Sequence, residues 1–149
     1  MIRVILAAGL LAATAAAAKA DGAAVFDSNC AFCHQAGGVG VPGQFPRLAE
    51  RAGATAAKPE GRKFLPKVLL NGMSGRVTVD GEQILGVMPA FDSLSDEDIA
   101  AVLTYVTGLG HAPVAFTADD IKQARAQPKL SPGDMAAEHG RLAGKKIVP

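Results

Sequence analysis

The stretch CAFCHQAGGVG, residues 30–40, separates two cysteines by two residues, adds a histidine directly after the second, and then runs into glycine. Cys30 and Cys33 are the only cysteines in the chain. Four kinds of site use this spacing: a disulfide, a thioredoxin-like redox pair, a zinc site and a covalent haem attachment site. The fold and the function depend on which of the four is present.

The surrounding sequence argues against three of these sites. A disulfide between Cys30 and Cys33 would close a very short loop and would constrain the unfolded chain little. A thioredoxin-like pair follows a strand in a βαβ unit, whereas the preceding DGAAVFDSN is typical of a helix start. Structural zinc needs four ligands, and this stretch offers at most three, the third being His34.

C-x-x-C-H is the attachment signature of c-type haem. One helical turn places both thiols at the same edge of the macrocycle, and the histidine that follows then faces the iron. The sequence therefore predicts one covalent haem c, attached through Cys30 and Cys33, with His34 as the proximal iron ligand. The chain has no second C-x-x-C-H and no internal repeat.

A haem of this type usually takes a methionine as its second axial ligand. Met88 lies in GVMPAF, where Pro89 restricts the backbone and suits a stiff loop that presents a sulfur. We therefore predict that His34 and Met88 are the two metal ligands. The other candidates are Met73, which reads as packing or turn, Met135 in a polar tail, and His111.

The first twenty residues have the pattern of a secretory signal. Arg3 precedes an apolar run over residues 4–18, and Ala18-Lys19-Ala20 matches the site cut by signal peptidase. The run is short for a membrane anchor, which needs about 20 apolar residues. We expect cleavage after Ala20, a periplasmic location, and no stable membrane insertion afterwards.

The charge of the chain argues against nucleic acid as a partner. Without Arg3 and Lys19, 13 basic residues stand against 14 acidic ones. The charges are unevenly spread, because residues 47–76 are mainly basic, whereas residues 80–120 carry eight acids and no Lys or Arg. This asymmetry is either a pair of solvated faces or a field that orients docking.

With these residues in view, the chain resembles the class I c-type cytochromes. More narrowly, it is similar to the cytochrome c domains of bacterial terminal-oxidase subunits and of periplasmic dehydrogenase haem subunits. The resemblance covers residues 22–109. The residues that carry it are the haem motif, Met88-Pro89, and also Gly22 and Phe26, which lie eight and four residues before Cys30. The implied fold is all-α, with short helices around one haem.

The resemblance also implies further site residues. Pro46 would receive the Nδ1–H of His34 on its carbonyl, and Leu48 would touch the haem. Tyr105, in the last helix of the cytochrome domain, would pack on the N-terminal helix. Where the two helices cross, a side chain at Gly22 would be in the way.

Local patterns predict the same elements independently. Ser95 and Asp98 form a capping-box-like start to a helix whose apolar residues recur at helical spacing. Pro59 starts another helix, which Pro66 either kinks or divides. Asp80-Gly81 is a hairpin turn signal, so we expect a small β-hairpin that leads into the Met88 loop and provides a candidate docking surface.

We therefore expect a signal peptide over residues 1–20, a cytochrome c domain over 21–110, and a partly helical C-terminal extension over 111–149. In the extension, Thr117 caps a helix. A second metal site at Met135 and His139 would have only two ligands, so a surface extension or partner arm is the favoured interpretation.

The resemblance implies an electron-transfer protein rather than an enzyme, because a six-coordinate iron has no open position for substrate. The leading hypothesis is a periplasmic one-electron carrier whose partners are a redox donor and a redox acceptor protein. The alternative is a dedicated haem c subunit of a larger periplasmic dehydrogenase, oxidase or reductase. A ligand-binding haem protein would require Met88 to be absent from the iron.

Overall fold

The computed structural model describes residues 20–149. The predicted signal peptide therefore lies, except for Ala20, outside the described residues. Within the described range, no helix is both long enough and apolar enough to cross a bilayer.

The fold consists mostly of short helices, with one antiparallel pair of strands among residues 20–149. The predicted short helices and the predicted small hairpin are both present, so the all-α label is incomplete only for these two strands. The helices are α1 Gly22–Asn29, α2 Ala31–His34, α3 Arg51–Ala56, α4 Pro59–Asn71, α5 Asp96–Thr107, α6 Ala118–Arg125 and α7 Pro132–Gly144, with a 3-10 turn at Ala36–Gly38; the strands are β1 Met73–Val79 and β2 Glu82–Met88.

Helices α1 and α5 cross at very short distance, as the resemblance implied. The buried ring of Phe26 lies 5.4 Å from that of Tyr105, centroid to centroid. A Cβ at Gly22 would lie 2.2 Å from the carbonyl oxygen of Ala101. The glycine therefore allows the two backbones to approach, and the aromatic pair fills the space beside them.

The predicted start and apolar face of α5 are confirmed. The Ser95 hydroxyl accepts a hydrogen bond from the Asp98 backbone N–H at 3.0 Å. The apolar residues at helical spacing are all buried: Ile99, Val102, Leu103 and Val106. Ile99 and Leu103 belong to one core cluster, whereas Val102 and Val106 belong to the cluster that contains Phe26 of α1. Helix α5 therefore joins the N-terminal helix to the rest of the core.

The segment between the predicted iron ligands is a helix followed by the predicted hairpin. Helix α4 starts at Pro59 and continues through a buried Pro66 without dividing. The strands pair antiparallel around Asp80-Gly81, whose φ angles of 52° and 82° fit a two-residue turn with both central residues at positive φ. Strand β1 begins immediately after α4, so Met73, expected in packing or a turn, is its first residue.

The C-terminal segment packs into the core, which differs from the expected surface extension or arm. Phe116 and Ile121 are buried against Ile99 and Leu103 of α5. Helix α6 is capped by Thr117, as predicted, with a reciprocal bond from the Thr117 N–H to the Asp120 carboxylate.

Helix α7 covers a third cluster, formed by Phe64, Met135, Leu142 and Val148. Met135 was expected in a polar tail but is fully buried. Met135, His139 and Leu142 recur at helical spacing and share one face. The spacing of Met135 and His139 predicted a shared helix face, but not its burial, because glycine and charged residues separate its few apolar positions.

The charge asymmetry is partly neutralised within the fold. Four of the eight acids between residues 80 and 120 form ion pairs with basic residues from other elements. The pairs are Asp80 with Arg47 and Arg51, Asp92 with Lys129, Asp96 with Arg125, and Asp120 with Arg62. These pairs connect segments that are distant in sequence and bring opposite charges together, which weakens the charge separation that could orient a partner.

Candidate functional site

The C-x-x-C-H motif forms a single helical turn. The His34 and Cys33 N–H groups both bond the Cys30 carbonyl, at 2.9 and 3.2 Å. The two cysteines are free of a disulfide. Burial, followed by the proximity of Cys33, raises the pKa of Cys30 to about 11. A redox-active thiol needs a lowered pKa, so this environment does not suit a thioredoxin-like pair.

His34 is held in one orientation by the Pro46 carbonyl. Its side chain is buried, with 8% of the residue exposed, and Nδ1 lies 2.8 Å from that oxygen. Because a carbonyl only accepts, Nδ1 carries the proton and Nε2 keeps its lone pair. Burial lowers the pKa of His34, and the hydrogen bond to Pro46 opposes this shift. The result is a neutral imidazole, the form that binds a metal.

The glycine-rich segment after the motif is the loop that brings Pro46 back to His34. The Gly40 N–H bonds the His34 carbonyl at 2.8 Å, and Val41 and Phe45 pair across the loop. At its base, the Leu48 N–H bonds the Gly38 carbonyl at 2.8 Å. The loop is therefore fixed at both ends by backbone bonds.

A cavity of about 300 Å³ lies beside this motif. The hairpin forms much of its wall. Alternate residues of a strand share a face, so each strand turns several residues toward the cavity. Its lining consists of Asn29, Cys30, Phe32, Cys33 and His34; Gln44, Phe45 and Pro46; Met73, Gly75 and Val77 of β1; and Ile84, Gly86, Val87, Met88, Pro89 and Phe91 of β2 and beyond.

The cavity has the character that a haem requires. Its walls are mainly apolar, and His34 and Met88 contribute a nitrogen and a sulfur donor from separate elements. Gly75 and Gly86 are cross-strand partners. A Cβ at Gly86 would meet no atom within 4 Å, whereas one at Gly75 would lie 3.4 Å from the Cβ of Ala136 in α7.

Most of the predicted site residues lie around this cavity. Cys30, Cys33, His34, Pro46 and Met88 all line it. Leu48 does not line it but packs beside the cluster of Phe26 and Val102, so its haem contact stays a prediction. Helix α7 carries Met135 and His139 on its buried face, away from the cavity lining.

Met73 is a lining residue that the sequence interpretation missed. It pairs directly with Met88 across the hairpin. The signal was available, because counting outward from the Asp80-Gly81 turn places residue 73 opposite residue 88. The C-x-x-C-H motif itself gives no sign of this position, because the pairing of Met73 with Met88 requires both strands to extend for seven residues.

A family model described as "Cytochrome C oxidase, cbb3-type, subunit III" matches residues 17–106. The chain belongs to the c-type cytochrome family. Members of this family bind haem c covalently and transfer electrons rather than catalyse a reaction on a substrate. Haem c is therefore the cofactor of this chain, and the residues around the cavity suit it.

Individual cytochromes resemble the chain over different lengths. Cytochrome c-552 of Thermus thermophilus is 43% identical over 142 residues, covering 91% of this chain and 95% of that protein. The fructose dehydrogenase cytochrome subunit of Gluconobacter japonicus is 38% identical, over 75% of this chain and 23% of that protein. The cbb3-type oxidase subunit FixP of Sinorhizobium medicae is 35% identical, over 64% and 32%.

The match to cytochrome c-552 includes most of the segment after residue 110, because it leaves only 9% of this chain uncovered. The family model ends before that segment, at residue 106. The packed C-terminal helices are therefore similar to part of a particular cytochrome and lie outside the general family pattern.

Proposed function

We propose that the chain is a periplasmic one-electron carrier whose haem c is attached at Cys30 and Cys33 and ligated by His34 and Met88. The observation that carries the proposal is the shared cavity. It is lined by a histidine whose Nδ1–H is held by Pro46 and by a methionine presented from the end of β2. The Met88-Pro89 pair and the C-x-x-C-H turn supply the donors that a His/Met site needs.

Haem c, when bound, supplies a one-electron ferric–ferrous couple. The chain's own residues set the conditions for it. Pro46 fixes the tautomer and orientation of His34, and such a partner tunes ligand basicity. The apolar walls from Val77 and Ile84 exclude water, which together with a methionine ligand favours the reduced form. Two protein ligands leave no coordination position for a substrate.

The rim of the cavity is a candidate docking surface for the electron donor and acceptor proteins. Phe32 and Val87 line the cavity and are 89% and 74% exposed, and Leu85, two residues before Val87 on β2, is 75% exposed. Isolated apolar side chains on a rim fit brief encounters, which typically bury less than about 1,200 Å². The hairpin thus serves both the haem pocket and the partner.

The periplasmic location is supported by the signal pattern of residues 1–20, with cleavage proposed after Ala20. In the mature chain, residues 21–110 would form the cytochrome c domain, and residues 111–149 would be its C-terminal extension. The packing of Phe116 and Met135 supports an extension that is docked on the domain rather than free.

Substitution of the proposed distal ligand tests the assignment. Met88→Ala should lower the midpoint potential and allow carbon monoxide to bind the reduced iron at neutral pH, because the thioether is lost. Ile121→Val is the matched control, since it trims a fully buried side chain of α6 that does not line the cavity. An unchanged potential and spectrum in Met88→Ala would remove Met88 from the iron.

A dedicated haem subunit of a larger oxidoreductase is the second candidate. It is favoured by the similarity to subunits of fructose dehydrogenase and of a cbb3-type oxidase. Native size fractionation of periplasmic extract, followed by haem absorbance, separates the two. Elution near the mass of the chain alone supports the carrier, whereas elution with a large dehydrogenase, oxidase or reductase supports the subunit.

A further inference from the structure

Asn71, the last residue of α4, connects the C-terminal segment to the part of the chain that carries Met88. Only 8% of the residue is exposed. Its Oδ1 accepts a hydrogen bond from the Leu130 N–H at 3.0 Å, and its Nδ2 donates to the Lys67 carbonyl at 2.8 Å. A backbone N–H can only donate and a carbonyl can only accept, so both bonds fix the same orientation of the amide.

The residue after Asn71 lies directly against the Met88 loop. Gly72 has a φ of +68°, and a Cβ there would lie 2.6 Å from the Met88 carbonyl oxygen and 2.9 Å from the Ala90 nitrogen. Only glycine combines this backbone angle with this approach. The end of α4 therefore sets the position of the backbone that presents the Met88 sulfur.

Two further contacts secure the same junction. The Phe91 N–H bonds the Leu69 carbonyl at 2.7 Å, which ties the chain beyond Met88 to the last turn of α4. Met73, the first residue of β1, pairs with Met88 and also packs against the α7 cluster that contains Met135. The C-terminal segment thus contacts the Met88 region through Asn71 and through β1.

We propose that Asn71 is a positioning residue for the Met88 ligand, and that the C-terminal segment, through Leu130 and α7, sets how firmly the Met88 thioether is held on the iron. The inference rests on the proposed His34/Met88 ligation. If Asn71 releases Leu130, the end of α4 and the first residues of β1 lose a fixed point. The Met88 sulfur is then displaced more readily by an external ligand.

Imidazole binding to the ferric protein measures this displacement. Asn71→Ala should raise the apparent imidazole affinity about tenfold, because it leaves the Leu130 N–H without its partner. It should also weaken the thioether-to-iron charge-transfer band and lower the midpoint potential. Met135→Ala, which loosens the packing of α7 against Met73, should shift the affinity in the same direction.

Thr117→Ala is the matched control. It removes the cap of α6 and lowers stability, but the hydrogen bonds of the Thr117 side chain are with Asp120 and not with Asn71 or the hairpin. Equal gains in imidazole affinity in all three variants would mean general loosening and would overturn the proposal. So would affinities within twofold of the parent in both Asn71→Ala and Met135→Ala.

The parent protein separates this inference from the proposed function. If the unaltered protein lacks the thioether band, the His34/Met88 assignment itself fails. If the parent shows the band and the two variants bind imidazole like the parent, the ligation stands and only the positioning role of Asn71 fails.

Discussion

Gly22 and the ring of Phe26 show how individual residues set the distance between α1 and α5. The glycine lets the α1 backbone lie against Ala101, and the aromatic contact with Tyr105 fills the neighbouring space. Since α1 leads directly into the C-x-x-C-H turn, this distance also sets where the turn lies relative to the core.

Gly22→Ala should therefore destabilise the protein by about 1–3 kcal/mol, the usual cost of forcing extra atoms into a packed contact. Gly140→Ala is the control, because Gly140 is an exposed position in α7 where a Cβ would meet no atom within 4 Å. That substitution should be neutral or stabilising by up to about 1 kcal/mol. Urea unfolding of both variants measures the difference, and equal midpoints would contradict the close-approach argument.

Residue-level prediction from local spacing succeeded within a few residues, whereas the distant contacts of Pro46 and Tyr105 were expected only from the family resemblance. The haem motif and the cap at Ser95 each lie within a few residues, so the sequence alone predicts them. The importance of Asn71 depends on Leu130, 59 residues away. No local pattern marks that pair, because a buried amide with two backbone partners looks like any helix-terminal asparagine.

The hairpin is the element that differs most from a purely helical fold. Its turn was predictable, since Asp80-Gly81 tolerates positive φ at both positions. The attachment of this turn to the rest of the protein was not predictable. It depends on ion pairs from Asp80 to Arg47 and Arg51, which lie much earlier in the chain. These ion pairs fix the tip of the hairpin beside the loop that carries Pro46.

Acidification should weaken this attachment. The hydrogen bond from Arg47, followed by the charge of Arg51, lowers the pKa of Asp80 below its ordinary value of 3.8. A carboxylate with a lowered folded-state pKa contributes stability above its unfolded pKa and loses it as the pH falls through the folded value. The window for this loss therefore lies below about pH 4.

Asp80→Asn isolates the effect, because asparagine also accepts positive φ. At pH 7 the variant should be less stable by no more than about 1 kcal/mol, since the Asp80 side chain is 44% exposed and solvent screens the pair. Urea unfolding at pH 7 and at pH 3 should show the difference between the two proteins shrinking at the lower pH. A constant difference would assign it to the turn rather than to the charge.

Across the whole molecule, the C-terminal helices extend the core instead of lying on it. Leu142 is 1% exposed although it lies well beyond the residues that match the family model. The sequence did not predict this docking, because α7 buries only a few apolar residues and each depends on a partner, such as Phe64, from far earlier in the chain.

Residues 21–110 and 111–149 should therefore unfold together. Haem absorbance and far-UV circular dichroism should give coincident transitions, as a cooperative unit requires. Leu142→Ala should cost about 2–5 kcal/mol. The same substitution at the exposed Leu85 should stay within about 0.5 kcal/mol. Two separate transitions, or equal effects of the two substitutions, would contradict a single unit.

The bond between His34 and Pro46 also has a consequence for the order in which the pocket is assembled. Those partners are 12 residues apart, whereas His34 and Met88 are separated by 54 positions. The entropy of loop closure makes the longer encounter costlier by about 1.3 kcal/mol. The shorter closure therefore favours orientation of the imidazole by Pro46 before the longer closure brings the Met88 sulfur to the pocket.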